Sequence, residues 1–206
     1  MDLYAYDDSI RREGFAVIAG VDEAGRGPLA GPVVAAAVIL PRNCPLKGIR
    51  DSKTVPEKER EHLHEEISRV ALALGVGVVG SEEIDRINIL EATRRAMLTA
   101  LEALGSAMDI VLIDALPLPP LPVPQRPIIK GDALSASIAA ASLIAKVRRD
   151  RLMREYHALY PQYGFDKHKG YATRAHCAAL QEYGPSPLHR KSFQRVLSLP
   201  LPFTTE

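Results

Sequence analysis

The sequence has few cysteines and no long hydrophobic run, and each of these absences excludes a class of protein. Cys44 and Cys177 lie far apart without metal-ligand spacing, so we expect reduced thiols and no disulfide framework. The longest apolar run falls well short of the ~18 residues that indicate a membrane span. Asp2, Asp7 and Asp8 interrupt the amino terminus, so we expect no signal peptide. The sequence therefore predicts a cytoplasmic protein with no membrane partner.

The chain also has almost no net charge, but the small total conceals an asymmetry. Residues 146–195 contain eleven Lys or Arg and four acids, a net charge of +7, so the remainder carries −6 of the overall +1. A polyanion-binding surface beside a metal-holding carboxylate cluster would give this pattern. A solvated helix face rich in arginine would give it equally well.

The 206 residues, 47% apolar and 25% charged, suit one soluble globular domain. We expect a core over about 15–160, a C-terminal helical region over about 161–198 and a flexible tail at 199–206. A monomer is the default assumption.

Hydrophobic patterns predict a mixed α/β sheet flanked by helices, with a helical extension at the C-terminus. Residues 1–13 are expected to be only partly ordered. The expected strands are 15–22, 33–40, 76–79, 109–114 and 128–130, the first two forming an antiparallel pair. Helices are expected after Pro56, over 82–104, 133–159 and 173–183, and briefly after Pro187.

The stretch from Val21 to Val34 organises the rest of the sequence. An apolar strand ends in two adjacent carboxylates, Asp22 and Glu23, and is followed by a loop containing Gly25, Arg26 and Gly27. Side chains alternate along a strand, so both acids can serve one site only where the strand ends. The glycines allow backbone amides to approach an anion, and the arginine adds donors. Metal-assisted phosphodiester chemistry is the function that this combination favours.

Two further carboxylates stand in the same kind of position. Asp114 ends a second strand, and Asp132 opens a helix after a third. If the strands are neighbours, the four acids converge, and four ionised carboxylates need one or two Mg²⁺ or Mn²⁺ ions to stay together. Taken singly, Asp132 is also typical of a helix N-cap and Asp114 of a turn after a strand.

The sequence from Val21 to Val33 resembles the signature of type 2 ribonucleases H, the bacterial ribonuclease HII family. Further blocks match in family order over about residues 15–195: Asp51-Ser52-Lys53, Ile113-Asp114, Lys130-Gly131-Asp132, 141–147 with Arg149-Asp150, 163–165, 168–173, His176 and 189–193. Ala115 departs from the pattern, because a glycine is expected there.

This resemblance implies a ribonuclease H-like fold and an endoribonuclease that acts on the RNA strand of RNA–DNA hybrids. It also implies cutting on the 5′ side of ribonucleotides embedded in duplex DNA. The family's four acidic positions map onto Asp22, Glu23, Asp114 and Asp132, which would hold one or two Mg²⁺ or Mn²⁺ ions. Attack by water would leave a 3′-hydroxyl and a 5′-phosphate.

Such an enzyme must detect the ribose 2′-hydroxyl, the group that distinguishes RNA from DNA. The backbone of Gly25, Arg26 and Gly27 is suited to this task. The resemblance implies that Tyr171 stacks or hydrogen-bonds at the junction. Candidate phosphate contacts are Ser52, Lys53, Lys146 and Arg149, with Lys53 preferred to Lys146.

Several features leave alternatives open. His168, His176 and His189 fit no compact metal pattern, so we expect them to cap, to hydrogen-bond loops or to contact phosphate. The segment Gln194 to Phe203 faintly resembles peptides that dock on the bacterial sliding clamp, although a frayed apolar tail is the simpler interpretation. A non-catalytic nucleic-acid-binding module and a junction resolvase on the same fold are the rival functions.

Overall fold

The structure, a computed structural model, describes residues 3–44, 46, 48–49 and 55–197. Its strands are β1 (Ile18–Ala24), β2 (Val33–Ile39), β3 (Ala73–Val79), β4 (Ile110–Asp114) and β5 (Gln125–Ile128). Its helices are α1 (Leu3–Arg12), α2 (Glu57–Val70), α3 (Ser81–Ala103), α4 (Ala136–Leu159), α5 (Phe165–His168), α6 (Arg174–Tyr183) and α7 (Gln194–Leu197). In this part of the chain, no helix is long and apolar enough to cross a membrane.

The five strands form one mixed sheet in the order β3-β2-β1-β4-β5. β2 pairs antiparallel with both β1 and β3, whereas β4 pairs parallel with both β1 and β5. The predicted mixed sheet is therefore confirmed, as is the antiparallel pairing of the first two strands. β1 and β4 are direct neighbours, which is the condition for their acids to meet.

Helices cover both faces of the sheet, which explains why all seven residues of β2 are apolar and buried. α3 packs on one face, and α2 and α4 pack on the other. Glycines set the distances between the sheet and its helices. A Cβ on Gly20 of β1 would lie 2.1 Å from the backbone of Ser137 in α4. Cβ atoms on Gly75 and Gly77 of β3 would each lie 2.0 Å from a carbonyl oxygen of α3. The glycines of this strand thus allow close helix packing and do not interrupt the strand.

The helix predicted over 82–104 needs a correction, because α3 is kinked. Asn88 has φ 68° and ψ 165°, far from helical values. Its Oδ1 accepts hydrogen bonds from the backbone N–H groups of Leu90 (2.9 Å) and Glu91 (3.1 Å). Asn88 therefore caps the second part of α3.

The amino-terminal segment was expected to be only partly ordered, and this prediction was wrong. Leu3–Arg12 forms α1, which buries Ile10 and Asp7. Both oxygens of Asp7 accept hydrogen bonds at the start of α4, from Ser135 Oγ (2.6 Å), Ser137 N (2.9 Å) and Ser137 Oγ (2.7 Å). The order of α1 comes from these contacts with residues about 130 positions away, which local sequence patterns do not reveal.

Several boundaries also differ from the sequence predictions, and β3 begins at Ala73 and not at residue 76. β1 runs from Ile18 to Ala24 and not over 15–22, and β5 covers Gln125–Ile128 and not 128–130. Pro127 is tolerated in β5 because this strand lies at the edge of the sheet. The long helix starts at Ala136, and its N-cap is Ser135, whose Oγ accepts from Ile138 N at 3.3 Å. Asp132 lies earlier, in a 3-10 turn over Gly131–Ala133.

The C-terminal region (residues 161–197) contains α5, α6 and α7 and packs against the second half of α4. Its small core joins Met153, Tyr163, Phe165 and Leu180 to Leu29 and Ala30 from the loop after β1. Thr173 caps α6 as predicted, since its Oγ1 accepts from His176 N at 3.2 Å. The predicted tail, 199–206, lies outside the described residues.

Candidate active site

Two carboxylates occupy equivalent positions at the ends of the parallel neighbours β1 and β4. Val21 pairs with Ile113, so Asp22 and Asp114 follow at the next position of each strand. Val21 and Ile113 belong to the core on the α3 side. Because side chains alternate along a strand, Asp22 and Asp114 point to the α4 side, where Ser142 of α4 interacts with Asp22.

Asp22 is the more buried of the two, with 4% of its surface exposed. Its Oδ1 accepts a hydrogen bond from the backbone N–H of Glu23 at 2.7 Å. Burial raises the pKa of Asp22 well above its ordinary value, and the negative charges of Glu23 and Asp114 raise it further. The ionised form of Asp22 is thus short of compensating positive charge.

The carboxyl group of Glu23 also lies near Asp22 and Asp114, although adjacent residues of a strand normally point to opposite faces. Its carboxyl group interacts with Asp22 and Asp114, and Arg26 Nη1 lies 3.3 Å from its Oε1. Burial raises the pKa of Glu23, while Arg26 opposes this shift. Oε2 is buried and has no hydrogen-bond partner among the described residues. We refer to Asp22, Glu23 and Asp114 as the acidic edge.

Asp132 is connected to the acidic edge through the residue that precedes it. The N–H of Gly131 donates to Asp114 Oδ1 at 2.7 Å. A Cβ on Gly131 would lie 2.6 Å from Ile138 Cδ1 and 3.5 Å from Asp114 Oδ1, so a larger residue would displace the end of the Ile138 side chain. The turn after Asp114 has the left-handed geometry that favours glycine, because Ala115 has φ 52°. The expectation of a glycine at this position therefore had a physical basis.

The carboxylate oxygens of the acidic edge have the chemistry that a divalent cation needs. Among the described residues, no three His, Cys, Asp or Glu side chains are grouped closely enough to hold an ion as they stand. The acidic edge nevertheless has the donor set that Mg²⁺ and Mn²⁺ prefer. It also has one buried oxygen without a partner and a mutual repulsion that a cation would remove. The residues fit a divalent metal ion.

The loop after β1 (residues 25–32, the glycine loop) lies beside the acidic edge. Glu23 and Gly25-Arg26-Gly27 line a cleft of about 230 Å³ together with Ser142, Lys146 and Tyr171. The side chain of Tyr171 is 45% exposed there. Eight of the predicted site residues thus lie around one region: the acidic edge, the three loop residues, Lys146 and Tyr171.

Arg149 needs a correction, because it is not available to a phosphate group. It is 1% exposed, and its guanidinium donates to the carbonyl oxygens of Pro32 (2.9 Å), Lys169 (3.0 Å) and Ala30 (3.2 Å). Its Cζ also lies 5.9 Å from the ring centre of Tyr171. Arg149 supports the glycine loop from inside the protein. Ser52 and Lys53 lie outside the described residues.

Lys146 lines the cleft but is not a free cation. Its Nζ donates to Asp150 Oδ1 at 2.6 Å, and the other oxygen of Asp150 lies 3.4 Å from Arg60 Nη2. Burial lowers the pKa of Lys146, and Asp150 opposes this shift. The ammonium group is therefore held at the cleft by a buried carboxylate.

The basic segment 146–195 is not one polyanion-binding face. Arg149 and Arg190 are buried, and Arg151 and Arg154 form ion pairs with Glu61 and Glu57 of α2. Much of its positive charge therefore stabilises the fold, an arrangement that charge counting could not distinguish from an exposed surface.

His189 and His176 form a hydrogen-bonded chain that ends on a loop carbonyl, and hydrogen bonding to loops was one of the sequence alternatives. Ser186 N donates to His189 Nδ1 (2.9 Å), so the hydrogen-bond pattern assigns the proton of His189 to Nε2, which donates to His176 Nε2 (3.0 Å). His176 Nδ1 then donates to the carbonyl of Tyr171 at 2.9 Å. Burial lowers the pKa of both His176 and His189 to about 4. His168 stacks on His176, and its Nδ1 accepts from Gly170 N.

Sequence reasoning gave no role to Arg190 or Ser142, although both lie in blocks that match the family. Arg190 is 0% exposed and donates to four carbonyl oxygens of the glycine loop. Ser142 lies between apolar residues of α4 and contacts Asp22. The role of each residue depends on a partner that is distant in the sequence, and no local spacing predicts that partner.

Comparisons with known proteins agree with this geometry. The family model for ribonuclease HII matches residues 19–196. Ribonuclease HII of Bacillus velezensis is 55% identical over 198 residues, which are 96% of this chain and 77% of the relative.

Two solved structures are also similar to this chain. Ribonuclease H2 from Pyrococcus horikoshii has a TM-score of 0.78 and 25% identity, over 89% of this chain and 96% of that one. Ribonuclease HII from Archaeoglobus fulgidus, solved in complex with PCNA, has a TM-score of 0.70 and 26% identity, over 86% and 95% of the two chains.

The mixed sheet with its acidic edge defines a ribonuclease H, an endonuclease that hydrolyses phosphodiester bonds. Within that class, the chain belongs to the ribonuclease HII family. The predicted family, fold class and enzyme type are confirmed.

Proposed function

We propose that this protein hydrolyses the RNA strand of RNA–DNA hybrids and cuts on the 5′ side of ribonucleotides embedded in duplex DNA. The observation that carries this proposal is the position of the acidic edge, whose Glu23 lines the same cleft as Gly25-Arg26-Gly27 and Tyr171. The carboxylate side of the cleft suits phosphodiester hydrolysis, and the side formed by the glycine loop and Tyr171 suits recognition of a sugar. The products are a 3′-hydroxyl and a 5′-phosphate, because water attacks and the ribose 2′-hydroxyl does not.

Asp22, Glu23, Asp114 and Asp132 would hold one or two Mg²⁺ or Mn²⁺ ions. When bound, such ions lower the pKa of a water and stabilise charge on the attacking and leaving oxygens. The chain contributes the orientation of the carboxylates: Gly131 N–H fixes Asp114, and Ser142 and the Glu23 N–H fix Asp22. Arg26 holds one oxygen of Glu23 and leaves the other without a protein partner among the described residues.

Recognition of the substrate falls to the remaining residues of the cleft. The backbone of Gly25, Arg26 and Gly27 contacts the ribose, and Tyr171 stacks or hydrogen-bonds at the sugar that follows. Lys146, held by Asp150, contacts a phosphate, and Ser52 and Lys53 are proposed for the same role. Phosphate contacts of this kind set the position of the duplex and carry no sequence information.

The test is cleavage of a labelled DNA duplex that contains a single ribonucleotide, with Mg²⁺ or Mn²⁺. We expect a cut on the 5′ side of the ribonucleotide, none with EDTA, and none in an all-DNA duplex or an all-DNA four-way junction. Cleavage of the junction would favour a resolvase. Cleavage of long hybrids alone would retain the ribonuclease and remove the role of Tyr171.

Metal binding can be tested without measuring activity. Titration with Mn²⁺ or Mg²⁺ should raise the melting temperature of the wild-type protein, because a ligand of the folded state stabilises it by about 1.4 kcal/mol at ten times its Kd. The Asp22→Asn variant should show a smaller rise. Equal rises in both proteins would place the ions elsewhere.

We also propose that the C-terminal tail docks weakly on a sliding clamp. The Archaeoglobus relative was solved as a complex with PCNA, which supports a clamp as partner. The residues concerned, 198–206, lie outside those described. Removal of 198–206 should abolish capture by the clamp and leave cleavage unchanged, and persistent capture would assign docking to another surface.

A further inference from the structure

The guanidinium group of Arg190 is inserted beneath the glycine loop. Its Nε donates to Gly31 O (3.0 Å), Nη1 to Arg26 O and Pro28 O (both 2.8 Å), and Nη2 to Gly25 O (2.6 Å). Four of the five N–H groups of the side chain are therefore used on one short segment of backbone. The side chain is completely buried, and no carboxylate takes part in these contacts.

These bonds determine where the neighbouring amides point. In a trans peptide the C=O of one residue and the N–H of the next point in opposite directions. Because the carbonyls of Gly25 and Arg26 point inward to Arg190, the N–H groups of Arg26 and Gly27 point away from it. Both residues line the cleft, and neither N–H has a hydrogen-bond partner among the described residues.

We propose that Arg190 is a positioning residue for ribose recognition, which acts by holding the N–H groups of Arg26 and Gly27 toward the cleft. This inference rests on the proposed function, because it assigns a cause to the recognition of the 2′-hydroxyl by the glycine loop. Arg190 touches no substrate atom. Its effect is specific to the sugar and does not extend to the phosphates, which other residues contact.

Lysine cannot reproduce this geometry, although it keeps the charge. It offers three donors on a point-like ammonium group, whereas the planar guanidinium reaches four carbonyls at fixed angles. The Arg190→Lys variant should therefore leave the loop in place but release its amides from their fixed direction.

The experiment separates sugar recognition from general binding. We would measure kcat and KM on a duplex with one ribonucleotide, and the inhibition constant Ki of an all-DNA duplex against it. In Arg190→Lys we expect KM for the ribonucleotide duplex to rise about tenfold, the effect of losing one or two well-aligned hydrogen bonds. The Ki of the all-DNA duplex should stay within twofold, so the ratio Ki/KM falls.

Asp85 provides a matched control. Its carboxylate accepts from Lys191 N (2.8 Å), Ser192 N (2.9 Å) and Ser192 Oγ (2.6 Å), and so anchors the same segment without touching the glycine loop. The Asp85→Asn variant should keep the wild-type Ki/KM ratio. An equal fall of that ratio in both variants would mean that any loosening of the segment has this effect, and would overturn the proposal.

The remaining outcomes are also decisive. A lower kcat in Arg190→Lys with an unchanged Ki/KM ratio would make Arg190 purely structural. If this variant does not fold, Arg190→Gly would be assayed with ethylguanidinium, which should restore the ratio by occupying the vacated space. Failure of both variants to fold would assign Arg190 to stability alone. Failure of the wild-type protein to cut the ribonucleotide duplex would instead refute the proposed function.

Discussion

The acidic edge and the region beneath the glycine loop both contain buried charge, but the hydrogen-bond partners of that charge differ between the two regions. At the acidic edge, Asp22 and Glu23 are buried beside Asp114, and burial together with this repulsion raises the pKa of Asp22. Beneath the glycine loop, Arg149 and Arg190 are also buried, yet their N–H groups donate to backbone carbonyls. Unsatisfied charge marks the place where a ligand is needed, whereas satisfied charge marks structural support.

The largest effect is expected at Asp22. Replacement by Asn should reduce cleavage by about 10³-fold or more, because it removes one of the carboxylates proposed to hold the metal. The same change should raise the free energy of unfolding by about 1 kcal/mol, since it removes a buried charge that lacks compensation. Cleavage assays and urea unfolding at pH 7 measure the two effects. A loss of stability would show that Asp22 is a structural residue.

Asp7 is the matched control for this prediction, because it is a buried aspartate whose two oxygens accept three hydrogen bonds. Asp7→Asn places an amide donor opposite serine and backbone donors and should cost about 1–3 kcal/mol of stability. A gain of stability in Asp22→Asn and a loss in Asp7→Asn would confirm the comparison. Stability changes of the same sign in both variants would contradict it.

The second-largest effect is a loss of stability expected at the buried Arg149. Arg149→Met leaves the carbonyls of Ala30, Pro32 and Lys169 without their donors, so we expect a loss of about 3 kcal/mol in urea unfolding. The neighbouring Arg148 is exposed on the same helix, and Arg148→Met should change stability by less than about 0.5 kcal/mol. A loss below about 1 kcal/mol at Arg149 would show that the carbonyls find other partners.

The histidine chain predicts a loss of stability in acid. The pKa of His176 and His189 is about 4 in the folded protein, below the ordinary value of 6.5, because both rings are buried. The unfolded chain therefore binds more protons, and the stability is complete above pH 6.5 and falls as the pH drops toward 4. Two protons give a slope of up to about 2.7 kcal/mol per pH unit.

The raised pKa of Asp22 acts with the opposite sign, because the folded state then binds the extra proton. The acid slope should consequently be steeper in Asp22→Asn than in the wild-type protein. The control is His62→Asn, which changes an exposed histidine and should leave the slope unaltered. Stability that stays constant between pH 6.5 and 4 in Asp22→Asn would contradict the assignment of neutral histidines.

The smallest effect is expected at Ala115, beside the acidic edge. Its φ of 52° is costly for an L-residue, so Ala115→Gly should relieve strain. Glycine also gains entropy in the unfolded chain, which leaves a net gain of at most about 0.5 kcal/mol and unchanged cleavage. The same change at Ala178, in the exposed interior of α6, should cost about 1 kcal/mol. A loss at Ala115 would mean that the turn tolerates alanine without strain.

The sequence was sufficient to predict the sheet and the place of Asp22, because both depend on local features. Apolar runs, glycine breaks and a pair of acids between two strands are visible without a structure. The positions of Arg149 and Asp7 were not predictable in this way. Arg149 looks like its exposed neighbour Arg148, and Asp7 looks like Asp8. Only the partners, 20 to 130 residues away, make one member of each pair structural.

The distance in sequence between Arg190 and the glycine loop has a consequence for the synthesis of the enzyme. Arg190 contacts residues that precede it by up to 165 positions, so the loop lacks this support until residue 190 has left the ribosome. The carboxylates of β1 and β4 are made much earlier. A nascent chain therefore contains the carboxylates of the acidic edge before Arg190 can hold the glycine loop, and the proposed discrimination between sugars is the last property to mature.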